Sequence, residues 1–229
     1  MSQKKNLTVK EMFSIALENH QKNNLVNAEK LYKEILKKNP EYVDAHNNLG
    51  ILFNQLKKYE KAVNSYKRVI QIQFNNSIAH NNLGFVFNQL GKYQNAIDSF
   101  KEAIKIEPRF SAAYYNLGNT YKILGKKQKA VYCYEKAIQI QPKYENAYYN
   151  LGNTLKELGE NKKAIASYEK LIQINPNHED AHNNLGIIFS ELDEYQNAKN
   201  SYEKAIKINP NFENAYNNLG SLFNQIEEY

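Results

Sequence analysis

The segment AHNNLG occurs at residues 45–50, 79–84 and 181–186. The second copy starts 34 residues after the first, and the third starts three such intervals later. AYYNLG at 113–118 and 147–152 and AYNNLG at 215–220 fill the remaining places in the register. A fixed period of this size restricts the chain to stacked supersecondary units. Each unit is too small to bury its own apolar face and must share it with its neighbours.

Within one period the apolar residues fall into two helical runs, for example Leu83, Val86, Phe87 and Leu90, then Ala96, Ile97, Phe100 and Ile104. Gly50, Gly84, Gly118, Gly152, Gly186 and Gly220 sit inside the first run, where glycine costs about 1 kcal/mol relative to alanine. Repetition of that cost predicts close helix–helix approach, with Ala62, Ala96, Ala130, Ala164 and Ala198 as the small partners in the second run. Gly91, Gly125 and Gly159 share a column between the runs, the place of a helix terminator. Pro40, Pro108, Pro142, Pro176 and Pro210 follow the second run, which proline cannot continue. Phe74 takes that place once and predicts a looser or differently angled junction.

In the fourth unit Tyr114, Leu117, Gly118, Tyr121, Ala130, Tyr134, Ala137 and Pro142 follow in order. That succession resembles the tetratricopeptide repeat (TPR) family, and the likeness covers nearly the whole chain. The resemblance implies an all-α fold, a right-handed α-solenoid of six complete TPR helix pairs plus one unpaired C-terminal helix. The expected organisation is an N-terminal tail over 1–8, an atypical capping repeat over 9–42, five repeats of 34 residues over 43–212, and the first helix of a truncated seventh repeat over 213–229. Ser14, Ala16 and Asn19 depart from their columns as a terminal repeat does. Leu219, Leu222, Phe223 and Ile226 stay apolar where a solvated cap would turn polar, and Tyr229 aligns with Tyr59, Tyr93 and Tyr195. The expectation is that the natural protein continues. The alternative is a last helix that docks on a partner or a second copy.

Asn48, Asn82, Asn116, Asn150, Asn184 and Asn218 form one column immediately before the Leu of each Leu-Gly pair. The resemblance implies that the first helices line a concave groove where ligands lie. Asparagine is a mediocre helix residue, but its carboxamide donates and accepts at once. It can therefore bond the main chain of an extended peptide without reading its side chains. With helices about 8–10 Å apart and an extended chain rising about 3.3 Å per residue, one asparagine meets a ligand backbone about every third residue. The column is similar to the asparagine ladder in the TPR domain of O-linked N-acetylglucosamine transferases. The competing reading is background, since the family often carries Asn here and this chain is Asn-rich elsewhere, as at Asn23, Asn24, Asn75 and Asn76.

The fourth and fifth units add Asn119, Asn153, Tyr115, Tyr149, Lys122 and Lys156 near the same face, with Phe85 and Ile187 on either side. The expected partner is a protein or peptide ligand with acidic or polar residues centrally and apolar ones beside them. Lysines at such places are also ordinary solvated residues. No Arg stands in the asparagine column, which disfavours the TPR class that clamps a C-terminal carboxylate.

Other chemistries find little footing. The net charge of +6 is scattered along the chain, so no nucleic acid partner is expected. A 34-residue period also separates the chain from the RNA-binding pentatricopeptide arrays. A mean hydropathy of −0.72 suits a core only two helices thick. No apolar run approaches the roughly 18 residues that span a bilayer, and no secretory leader is visible; the expectation is a cytoplasmic protein that does not enter membranes. The single cysteine, Cys133, cannot form an intramolecular disulfide and shares a column with Ser65, Ser99, Ser167 and Ser201. His46, His80 and His182 share an aromatic packing column with Tyr114, Tyr148 and Tyr216, too widely spaced for a common metal. His178 and His182, four residues apart, lack further ligands. No cofactor and no enzymatic activity are expected of this segment. The leading function is a scaffold that binds extended peptides through the asparagine ladder. The alternative is the substrate-recruiting region of a larger glycosyltransferase-like enzyme whose catalytic domain lies beyond Tyr229. The stretch ALENHQKNNLVNAEKLYKEILKKNP looks like the first repeat of bacterial proteins of that kind.

Overall fold

The computed structural model describes residues 7–227. Most of the expected tail, residues 1–6, and Tyr229 with its proposed alignment lie outside the described residues. Among those described there are thirteen α-helices and no strand. They are α1 (Val9–Gln21), α2 (Leu25–Lys38), α3 (Val43–Gln55), α4 (Tyr59–Ile72), α5 (Ser77–Gln89), α6 (Tyr93–Ile106), α7 (Ser111–Ile123), α8 (Lys127–Ile140), α9 (Glu145–Lys156), α10 (Asn161–Ile174), α11 (Glu179–Glu191), α12 (Tyr195–Ile208) and α13 (Glu213–Glu227). Six helix pairs and a thirteenth helix thus match the expected fold class.

The chain divides into two compact units, Met1–Thr120 and Tyr121–Tyr229. In the first unit each helix from α1 to α6 packs on the next; in the second the same holds from α8 to α13. A first helix therefore lies between the second helix of its own pair and that of the pair before. This arrangement buries Ala45, Leu49, Leu52 and Phe53 of α3 together with Ala62, Tyr66 and Val69 of α4. The low mean hydropathy follows, because each helix leaves a broad face in water.

Local chemistry sets the helix ends. Thr8 caps α1: its hydroxyl accepts from the Glu11 N–H at 3.2 Å, and its own N–H donates to Glu11 Oε2 at 2.8 Å. This reciprocal capping box was not drawn from the sequence, although Thr8-x-x-Glu11 carries its signature. Between the two helices of a pair, one residue adopts positive φ: Asn23 at 59°, Lys57 at 55°, Gly91 at 69°, Gly125 at 70°, Gly159 at 73° and Asp193 at 59°. The glycines expected to terminate helices hold that position. Lys57 holds it against the steric preference of an L-residue.

Junctions between pairs share one turn. The N–H of Tyr42 donates to Asn39 O at 3.2 Å, that of Phe110 to Glu107 O at 3.1 Å, and that of His178 to Asn175 O at 3.2 Å. The Phe74 junction is built alike, with Asn76 N donating to Gln73 O at 3.2 Å and Gln73 at φ −132°, ψ 87°. The looser geometry expected there is not found at the backbone: the turn needs its hydrogen bond, and proline only restricts φ. What changes is the surface, where Phe74 is 79% exposed.

The close approach at the buried glycines is real, but its partner differs from the one expected. A Cβ on Gly50, Gly84, Gly152 or Gly186 would lie 2.5–2.8 Å from the ring of Tyr66, Phe100, Tyr168 or Tyr202. The alanines four residues earlier are fully buried; it is the ring, longer than an alanine methyl, that reaches the glycine and occupies the missing side chain's volume.

Candidate functional site

The candidate residues sit on the first helices of both units, and each unit is described by itself. The histidines of AHNNLG have a definite task. Nε2 of His46 donates to Pro40 O at 2.9 Å, Nε2 of His80 to Phe74 O at 3.1 Å, and Nε2 of His182 to Pro176 O at 3.1 Å. Each ring clips its helix to the junction carbonyl before it, in addition to the packing expected of the column. His182 is 9% exposed, and burial holds its pKa below the usual histidine value.

The two asparagines of the motif divide their work. In the first unit Asn116 Nδ2 donates to Asn81 Oδ1 at 3.0 Å, and Asn81 Nδ2 in turn lies 3.4 Å from Asn82 Oδ1. In the second unit Asn218 Nδ2 donates to Asn183 Oδ1 at 2.9 Å. At these two steps the second-asparagine column of one repeat thus bonds the first asparagine of the repeat before, whereas Asn47 Oδ1 receives no such bond. Asn81 and Asn183 are buried, at 8% and 6% exposure. Sequence reasoning singled out only the second asparagine; the doubled Asn-Asn was the signal for the first.

Where tyrosine replaces the first asparagine, the acceptor moves. Tyr149 occupies that column in α9, and Asn184 Nδ2 instead donates to Asn153 Oδ1 at 3.1 Å, one turn further along. The same oxygen accepts the Tyr168 hydroxyl at 2.6 Å. The joint appearance of Tyr149 and Asn153 is thereby explained: the amide link is kept by a different residue. Tyr149 is half-buried, stacks near His178 at 5.2 Å between centroids and meets Tyr168 edge-on at 6.4 Å. At the start of the chain Phe13 offers no acceptor in this column, and Asn48 Nδ2 turns to Asp44 O of its own helix at 2.9 Å.

The remaining candidates fall as follows. Tyr115, Asn119 and Asn150 are half-buried and engaged by neighbours. The carbonyls of Asn116 and Asn150 accept the hydroxyls of the fully buried Thr120 and Thr154 at 2.9 and 2.6 Å. Lys122 lies 3.4 Å from Glu157 Oε1, and Lys127 lies 3.2 Å from Oε2 of the same carboxylate. Lys156 is half-buried and forms no ion pair among the described residues. Phe85 is 39% exposed and Ile187 half-buried. Two buried acceptors in the first unit, Asn47 Oδ1 and Asn88 Oδ1, have no hydrogen-bond partner. Cys133 is buried and its thiol pKa is pushed up to about 12 by desolvation, so its sulfur stays protonated. Among the described residues no group of three or more His, Cys, Asp or Glu could hold a metal ion, and no helix is long and apolar enough to cross a membrane.

Comparisons with known proteins agree with this architecture. Profiles described as TPR repeat match residues 52–91, 86–125, 118–159 and 152–193. Two further profiles described as tetratricopeptide repeat match residues 31–64 and 179–212. Among solved structures, YrrB, a TPR protein with an unusual peptide-binding site, is similar at 21% identity and TM-score 0.68, over 81% of this chain and 96% of that one. MamA is similar at 29% identity and TM-score 0.66, over 70% of this chain and 94% of that one. PilF of Pseudomonas aeruginosa is similar at 18% identity and TM-score 0.77, over 91% and 95% of the two chains. A search of curated proteins returned no match.

Proposed function

This chain belongs to the tetratricopeptide repeat family, and we propose that it is a protein-interaction scaffold binding extended peptide segments on the open face of its first helices. The observation that carries the proposal is the half-buried ladder carboxamides of each unit, Asn116 in the first and Asn184 and Asn218 in the second. Asn116, Asn184 and Asn218 each spend one donor on a neighbouring amide. Each keeps a second N–H and an oxygen that those bonds do not use. The internal bonds fix the rotamers before any ligand arrives, so less side-chain entropy is lost on binding. Exposed Phe85 in the first unit, and half-buried Lys156 and Tyr149 in the second, add side-chain preference beside the backbone-directed amides of their own units.

Replacing Asn116 and Asn150 together by Ala tests the reading. Peptides selected on a cellulose-bound array should bind the double variant about fivefold more weakly or worse, two hydrogen bonds being worth roughly 1–3 kcal/mol together. Circular dichroism should show intact helicity. Unchanged affinity removes the ladder from the mechanism.

A second reading, self-association, is favoured by α13. Tyr216, Phe223 and Ile226 are 50%, 43% and 40% exposed on it, and the space over Gly220 is open. Sedimentation of the native chain against Phe223→Glu decides this: a concentration-dependent dimer lost in the variant supports it, and a monomer in both removes it.

A further inference from the structure

We propose that Tyr168 is a positioning residue: its phenol sets the direction of the Asn153–Asn184 amide pair, so that the α9–α11 step registers the main chain of one residue of an extended ligand, and Lys156 draws an acidic side chain to that register. The inference rests on the peptide-binding reading above and assigns its point of recognition.

Tyr168 is fully buried, and its ring fills the space beside Gly152, where a Cβ would lie 2.8 Å from the ring. Burial raises the phenol's pKa far above its ordinary value, so the hydroxyl keeps its proton. A buried O–H must place that proton on an acceptor, and the acceptor in reach is Asn153 Oδ1 at 2.6 Å. The carboxamide of Asn153 is thereby held with its oxygen towards α10. Asn184 Nδ2 donates to the same oxygen at 3.1 Å, which occupies both of its lone pairs. Turning the Asn153 amide over would set its NH2 against two donors at once.

The consequence is a defined polarity. What remains on half-buried Asn153 is an NH2 group with two donors, and what remains on half-buried Asn184 is an acceptor oxygen. A donor and an acceptor on adjacent amides match the C=O and N–H of one extended ligand residue, which point to the same side of the chain. Lys156 stands three residues beyond Asn153 on α9, close to one helical turn. Its ammonium has no carboxylate partner among the described residues, whereas Lys122 is already paired with Glu157. An acidic ligand side chain at this register meets that unspent charge. Elsewhere in the ring column Phe100 has no hydroxyl, the Tyr32 hydroxyl lies 3.4 Å from His20 Nδ1, and Tyr134 is engaged by a neighbour of its own.

The test uses fluorescein-labelled nine-residue peptides chosen from an array, with central Glu, central Gln, or central Glu N-methylated on its main-chain nitrogen. Anisotropy gives Kd on the full chain. Tyr168→Phe should fold, since Phe100 fills the same column; native helicity with a cooperative unfolding transition confirms it. Expected is a rise in Kd of about three- to tenfold for the Glu peptide. N-methylation should weaken binding to the native chain and have little further effect on Tyr168→Phe. Lys156→Gln should abolish the preference for Glu over Gln and leave the Gln peptide's Kd unchanged. An unaltered Kd in Tyr168→Phe, with binding still weakened by the Asn116→Ala and Asn150→Ala pair, overturns this inference and leaves the ladder standing. Persistence of the full N-methyl penalty in Tyr168→Phe overturns it as well. Failure of every array peptide to bind the native chain overturns both.

Discussion

Gly186 and Gly220 hold the same place in their repeats, yet the structure gives them opposite responses to a methyl group. A Cβ on Gly186 would sit 2.5 Å from Tyr202 Cε1 and 2.6 Å from Cδ1. On Gly220 it would meet nothing within 4 Å. Carbon atoms prefer separations of about 3.5–4.0 Å, so Gly186→Ala demands a displacement of about 1 Å. Tyr202 cannot withdraw freely: it is 3% exposed and packs with Ala198 and Leu222, against Ile187, Phe189, Tyr195 and Leu219. Overpacking of this kind costs about 1–3 kcal/mol, offset by about 1 kcal/mol from alanine's better helix propensity. Gly186→Ala should therefore lose up to about 2 kcal/mol, whereas Gly220→Ala should gain up to about 1 kcal/mol. Urea unfolding followed by circular dichroism reports the global effect. Amide hydrogen exchange on α11 and α13 reports the local one, which matters because repeat arrays need not unfold in one step. Combining Gly186→Ala with Tyr202→Leu should cost less than the two changes added, since the second makes room for the first. A stabilised Gly186→Ala, or strictly additive costs, refutes the steric account.

Lys57 holds the positive-φ position that glycine fills at Gly91, Gly125 and Gly159, so Lys57→Gly should stabilise the first unit by about 0.5–1 kcal/mol, read as a higher urea midpoint at unchanged slope. His182 has a folded pKa below its ordinary 6.5 because it is desolvated. The unfolded chain then binds more protons than the folded one, so its stabilising contribution is complete above about pH 6.5 and declines as the pH falls towards the folded pKa. His182→Tyr, which installs the residue of the same column in other repeats, should flatten that part of the stability profile between pH 7 and 5. An identical slope in both proteins would show that other groups carry the dependence.

Much of the fold was legible because the repeat writes each constraint between three and six times. The helix pairs, the terminating glycines and the buried glycine column all follow from residues whose backbone consequences are local. The missed features are those in which a residue answers to another outside its own helix, from a junction carbonyl six residues back to an amide 35 positions away. The histidines read as ring substitutes, while their Nε2 bonds to the junction carbonyls depend on how the chain turns six residues earlier. Asn81 and Asn183 read as composition, and became acceptors only when the next repeat was laid beside them. Phe74 read as a perturbed junction, yet a turn held by its own hydrogen bond kept its shape without proline.

The sequence alone determined the family, the pairing of helices and the column to which each polar side chain belongs, since all three depend on period and spacing. Tertiary structure alone decided which amides face each other, that the Tyr168 ring and not an alanine occupies the space beside Gly152, and that Lys122 shares the Glu157 carboxylate with Lys127 while Lys156 has no ion pair among the described residues. The physical reason is range. Helical periodicity is set by backbone bonds four residues apart, whereas a carboxamide's partner is set by interhelical distances of about 8–10 Å that only the packed side chains fix.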